Sequence, residues 1–142
     1  MNRREHELSD TIQVIVARVA NRLCALPLDH VLETMRILPA EPVADAPSFV
    51  TGLSIIRGAP VPVIDLAALL GDAGEATRLI LVAVGDRRVA VAVAAVIGVQ
   101  RLDPETFAAT PPLLQLARAV LIDSIGVRDA QLLLVLRASR LL

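Results

Sequence analysis

The 142-residue chain contains no tryptophan, no tyrosine and no lysine, only two phenylalanines, and a single cysteine. With aromatics at 1% of residues, the core has to be built from Val, Leu, Ile and Ala. The same scarcity removes base-stacking side chains, and no basic run is present, so no nucleic-acid partner is expected. The lone Cys24 cannot close an internal disulfide, which agrees with a reducing cytoplasm. The longest apolar run, Val89 to Val99, is about half the roughly 20 residues of a membrane-spanning helix. The opening MNRREHELSD lacks the apolar stretch of a secretory signal, so a cytoplasmic chain without direct membrane insertion is expected.

Chemistry-bearing groups are equally sparse. His6 and His30, with Cys24, show no spacing typical of a zinc site. There is no G-x-S-x-G elbow and no phosphate-cradling glycine loop. Asp123-Ser124 has no histidine close in sequence to serve as base. No catalytic residue, metal or cofactor is expected. A small β-barrel enzyme is the competing reading, and it would need a pocket of convergent polar groups for which few candidates exist.

What the chain does have is aliphatic residues. Hydrophobic residues make up 55% of it, and the mean hydropathy is +0.64. Val and Ile favour strands. Fourteen basic and fifteen acidic residues nearly cancel. The apolar excess therefore suggests surface that meets other proteins.

Residues 1–10 read as a polar tail. Strands are expected over Ile12–Val19 and Leu23–Leu26, with a turn at Asn21-Arg22. Val31–Leu38 fits helix or strand by periodicity, and its flanks and length favour a strand. A proline-rich loop covers residues 39–48. Three further strands are expected over Leu79–Val84, Val89–Val93 and Val96–Leu102, the first two joined by a turn at Gly85-Asp86-Arg87. Asp103-Pro104 begins a turn or short helix. Ala119–Ile125 and Leu132–Leu136 read as the last strands, and Ala138–Leu142 as the start of a terminal helix. About ten short strands at this spacing indicate an all-β sandwich or barrel. The Gly71–Glu75 loop divides them into groups of similar size.

The most informative stretch is Phe49–Gly71, FVTGLSIIRGAPVPVIDLAALLG. Arg57-Gly58 suits a tight hairpin turn, because glycine enters positive φ without a Cβ clash. Pro60 and Pro62 lack N–H groups, so the second strand should be an edge strand or carry a bulge. Asp65 is placed to cap a short helix over Leu66–Leu70, which Gly71 would stop.

This segment resembles the signature of CheW-like domains, the adaptor modules of bacterial chemotaxis arrays. Leu26-Pro27 with Val31-Leu32-Glu33 matches a first motif, and Phe49–Gly52 with Ile56-Arg57-Gly58 a second. Pro62-Val63-Ile64-Asp65-Leu66 matches a third. Thr77 and the terminal Arg140-Leu141-Leu142 fall in register, so the resemblance runs from about Ile12 to Leu142. Ala94, Arg78 and Arg137 depart from the pattern; Arg78 stands where an apolar residue near the receptor groove is usual.

The resemblance implies a single domain over 11–142 made of two five-stranded SH3-like barrel lobes with short helices, near 11–71 and 72–142. It implies a non-catalytic adaptor joining the cytoplasmic tip of a chemoreceptor to the regulatory domain of a CheA-type histidine kinase. The protein would then lie peripheral to membrane-bound receptor arrays. Other CheW-like domains are further partners it suggests, and a self-assembling array module without kinase coupling is an alternative role. Val31, Glu33, Gly52, Arg57 and Val99 fall on positions that line or support the receptor groove. Glu33 and Arg57 are expected to pair across neighbouring strands there. Without the resemblance they would read as solvated charges, and Val31 and Val99 as core.

Overall fold

A computed structural model describes residues 11–103, 108–109, 122–128 and 131–136. The first strands are β1 (Ile12–Val19) and β2 (Arg22–Pro27), followed by a 3-10 turn (Leu28–His30) and β3 (Val31–Arg36). Then come β4 (Val50–Ile56), β5 (Ala59–Asp65), the short helix α1 (Leu66–Leu69), β6 (Arg78–Val84) and β7 (Arg87–Val93). The last are β8 (Ala95–Leu102), β9 (Ala108–Ala109), β10 (Ile122–Arg128) and β11 (Gln131–Leu136). The tail 1–10, the break at Pro111-Pro112, Arg137 and the C-terminal helix expected at 138–142 lie outside the described residues.

The all-β expectation holds. Among the described residues two sheets form, ordered β8-β1-β2-β11-β10-β9 and β3-β6-β7-β5-β4. One sheet therefore has six strands rather than the expected five. Nor does the boundary between sheets fall near residue 71. The whole β3–β7 unit makes one sheet, while β1 and β2 join β8–β11 in the other.

The apolar excess has a structural cause. On β1, Ile15, Ala17 and Val19 face a core shared by both sheets, while Val14 and Val16 pack with Leu23 and Ala25 on the opposite face. On β6 and β7, Ile80, Val82 and Val91 enter the shared core, while Leu79, Leu81 and Ala90 fill the interior of the five-stranded sheet. Strands covered on both faces lose the polar half of the alternation and read as continuous apolar runs. Burying each such Val, Leu or Ile contributes about 1.5–3 kcal/mol. Much of what looked like binding surface is core.

Local signals within the signature segment act largely as read. Arg57 (φ 53°) and Gly58 (φ 80°) turn the β4–β5 hairpin, as a two-residue turn with positive φ at both positions requires. Asp65 Oδ1 accepts a hydrogen bond from Ala68 N at 3.3 Å and caps α1. The helix closes at Leu70 and Gly71 (φ 78°), whose N–H groups donate to Leu66 and Ala68 carbonyls. The β1–β2 turn falls at Ala20-Asn21, one residue before the expected place.

The prolines behave differently from the expectation. β5 is not an edge strand, since it lies between β7 and β4. A two-residue turn makes Ile56 and Ala59 a hydrogen-bonded pair, so Pro60 and Pro62 fall at non-bonded sites opposite Ile55 and Leu53. Their missing N–H groups are thus directed to the β7 side, and the parallel ladder with β7 begins only at Val63. Each proline sits where no ladder bond is needed.

Candidate functional site

The five-stranded sheet does not close on itself by a strand ladder, for β3 and β4 are its two edges. The chain between them spans the gap. Ile37 N donates to Thr77 O at 3.3 Å, continuing the β3–β6 side. Four residues later Glu41 and Leu53 exchange backbone hydrogen bonds of 2.8 and 2.9 Å, which attaches the same segment to β4. Ser54, buried at 1% exposure, donates its hydroxyl to Pro39 O at 2.8 Å. A buried hydroxyl without a partner would be destabilising, so this bond fixes the segment over the sheet edge.

Gly52 makes that attachment possible. It lies at a register shift in β4 with φ 152°, and a Cβ there would stand 2.2 Å from the Glu41 carbonyl oxygen. The room left by its missing side chain is filled by the chain itself.

A side-chain clamp spans the same two edges. Arg57 Nη2 donates to Glu33 Oε2 at 2.7 Å and Nε to Oε1 at 3.2 Å. The planar fork matches the carboxylate in a two-point contact. That contact holds the Glu33 carboxyl below its ordinary range and raises the Arg57 guanidinium. The two residues are thus brought together, but not from neighbouring strands. Glu33 is on one edge and Arg57 at the hairpin tip beside the other, and the curl of the sheet makes them meet.

Beyond the shared core each sheet carries one outer strand, β8 outside β1 and β3 outside β6. Val96 of β8 and Val31 of β3 both pack against that core, so both outer strands border it. Val99 is 55% exposed and stands opposite Ile15, on the same face of its sheet. The 3-10 turn links the sheets at one end, where His30 Nδ1 lies 3.1 Å from Ala83 O. Thr11, Ile12, Gln13, Leu28 and Asp29 line an open hollow of about 500 Å³ there. At the other end Thr77 Oγ1 donates to Ala94 O at 2.6 Å and Ala94 N to Arg18 O at 2.9 Å, joining the sheets again.

Val31 and Glu33 therefore stand on the outer strand β3 and Val99 on the outer strand β8, while Gly52 and Arg57 belong to the opposite edge of the five-stranded sheet and act through the Glu41 segment and Glu33. Glu41, Pro39 and Ser54 had no signal in the sequence beyond a serine at an inward position of a strand.

A family model described as the CheW-like domain matches residues 13–142. The chain belongs to the CheW-like domain family. CheW-like domains are scaffolds rather than enzymes, and among the described residues no group of three or more His, Cys, Asp or Glu could hold a metal ion. Protein FrzA of Myxococcus xanthus is 34% identical over 100 residues, 68% of this chain. The matched stretch spans 62% of FrzA's own length. In three dimensions the CheW-like domain is similar to the scaffolding protein TtCheW from Thermoanaerobacter tengcongensis, with a TM-score of 0.79. The likeness covers 89% of this chain and 88% of TtCheW at 22% identity, and it concerns the fold. No helix among the described residues is long and apolar enough to cross a membrane.

Proposed function

We propose that this CheW-like domain is a cytoplasmic coupling scaffold in a chemosensory array, joining the helical tip of a chemoreceptor to the regulatory domain of a CheA-type histidine kinase. The match over residues 13–142 carries this reading. The outer strands β3 and β8, which both border the shared apolar core, support it; a cleft between them would offer an apolar floor, the arrangement that receives an amphipathic helix. Val31 and Val99 supply apolar contact to the receptor tip. Glu33 and Arg57 hold β3 in position, and Gly52, on the opposite edge, lets the Glu41 segment that follows β3 attach to β4. Tying receptor and kinase to one scaffold makes the second contact intramolecular, so output needs no chemistry from the scaffold itself.

Calorimetry with the receptor tip and with the kinase regulatory domain tests this function. Micromolar binding to each is expected; absence of binding to both at well above that concentration refutes it. A double-mutant cycle tests the clamp. Arg57→Glu should lower receptor affinity more than it lowers the melting temperature, and Glu33→Arg with Arg57→Glu should recover stability and part of the binding. Unchanged receptor affinity in both single reversals would remove these residues from the site.

A further inference from the structure

Arg36 and Arg78 stand directly opposite each other in the antiparallel β3–β6 ladder. Cross-strand partners have Cβ atoms about 4.5–5.5 Å apart, and like charges in that arrangement are destabilising. No other register among the described strands pairs two like charges. Among the described residues no carboxylate forms an ion pair with either guanidinium, although Arg22 and Arg57 both have one. Arginines such as Arg87 and Arg101 lie opposite Val84 and Gln13, where they repel nothing. The repulsion at Arg36–Arg78 is thus particular to this place in the fold, and nothing in the described fold offsets it.

The location gives the pair a use. Residues 78, 80 and 82 share one face of β6, and Ile80 and Val82 enter the core between the sheets. Arg78 continues that row outward, beside the Thr77–Ala94–Arg18 corner where the sheets join, and Arg36 extends it onto the edge strand. Arg78 is half-buried and Arg36 exposed. The two arginines therefore stand at the corner end of the β3–β8 cleft proposed above. Guanidinium is weakly hydrated, and its planar fork fits a carboxylate at two points. An acid placed between the two forks would relieve their repulsion and gain hydrogen bonds from both.

We propose that Arg36 and Arg78 together form a carboxylate-recognition site at the end of the β3–β8 cleft, and that the helical protein segment occupying the cleft presents an acidic side chain to them. The site selects among partners by charge. It rests on the reading of the cleft as the receptor-tip groove, and its test separates the two.

The probe is the cytoplasmic hairpin tip of a chemoreceptor from the same genome, titrated against the full chain at several salt concentrations. Arg36→Gln and Arg78→Gln should each weaken binding about tenfold, the loss expected for a hydrogen bond to a charged group. Both should flatten the salt dependence. Each should also raise the melting temperature by about 1–4 °C, because a like-charge contact is removed. A gain in stability with a loss of binding is what a merely structural arginine would not show. Replacing one particular acid of the tip by its amide should reproduce the loss, with little further effect from the arginine variants. Val99→Arg, inside the cleft but away from the pair, controls for the groove. If Val99→Arg abolishes binding while both Gln variants bind with unchanged affinity and salt slope, the groove stands and the carboxylate site is overturned. If the unaltered chain does not bind the tip, the groove reading fails and the site with it. If the Gln variants instead change only self-association in ultracentrifugation, the occupant is a second copy of this chain and the proposal is wrong.

Discussion

Replacing Gly52 by alanine should be among the most damaging single-methyl changes this chain can suffer. The added Cβ would lie 2.2 Å from the Glu41 carbonyl oxygen and 2.6 Å from its carbon. Both are backbone atoms, so no side-chain rotation relieves the contact. Either the strand moves or the Glu41–Leu53 pair opens, giving up hydrogen bonds of 2.8 and 2.9 Å. Those two bonds are worth about 1 kcal/mol each. Holding alanine at φ 152° costs about another 1–3 kcal/mol. The expected loss is therefore about 3–5 kcal/mol, a large share of the roughly 5–15 kcal/mol typical of a domain. Gly58 provides the control, since it too has positive φ but no heavy atom within 4 Å of the point where a Cβ would stand. Gly58→Ala should lose only the backbone part, about 1–2 kcal/mol. Urea unfolding of both variants measures the difference, provided the m-values agree. Amide exchange at Glu41 and Leu53 should accelerate in Gly52→Ala alone. Equal losses in the two variants, or unchanged protection at those amides, would show that close approach of Gly52 to Glu41 does not hold the sheet edge.

Asp65→Ala should destabilise by about 1 kcal/mol through loss of the bond to Ala68 N, read as a small shift in the unfolding midpoint; no shift would mean that the core contacts of Leu66 and Leu70 fix α1 unaided. Burial pushes the Cys24 thiol from the ordinary 9.0 up to about 12, opposed weakly by Arg22. Native protein at about pH 8 should therefore resist thiol reagents until it unfolds, and rapid stoichiometric labelling would contradict the burial. Because the unfolded thiol ionises first, this contribution to stability is intact below pH 9.0 and is lost as the pH rises towards about 12. For Glu33 the sign is reversed. Its hydrogen bond from Arg57 depresses the folded value below 4.5, so the clamp stabilises above that pH and weakens as the pH falls through the folded value. An NMR titration should show Glu33 titrating below its ordinary range and returning to it in Arg57→Gln; an ordinary value in the unaltered chain would show that the clamp is not formed in solution.

Strand positions were legible because alternation, turn residues and caps are local. Ile12–Val19 and the Arg57-Gly58 hairpin match the sequence to the residue, and Asp65 caps the helix it is expected to cap. What failed was everything that depends on which strand lies beside which. Pro60 and Pro62 correctly signalled missing ladder bonds, yet β5 is internal because β4 pairs along nearly its whole length while β7 pairs only beyond both prolines, from Val63. Glu33 and Arg57 were rightly joined, but by the curl of a sheet rather than by adjacency. Glu41 was invisible because its pairing with Leu53 is a single bridge with no periodic pattern. Arg78 stood out in sequence and Arg36 did not, because like-charge opposition exists only once the register is known.

The interleaving of the two sheets bears on how the chain reaches this state. All of β3–β7 is contained within residues 31–93 and can assemble as soon as that stretch has left the ribosome. The six-stranded sheet cannot, because its central seam pairs Leu23–Ala25 of β2 with Leu133–Val135 of β11. That seam closes a loop of about 110 residues, and such long-range parallel pairing is intrinsically slow. Until it forms, β2 presents an open apolar edge with Leu23, Cys24 and Leu26 awaiting cover. A segment about 110 residues downstream thus governs whether β2 is covered, and a chain interrupted before β11 should aggregate through β1 and β2 even with its five-stranded sheet intact.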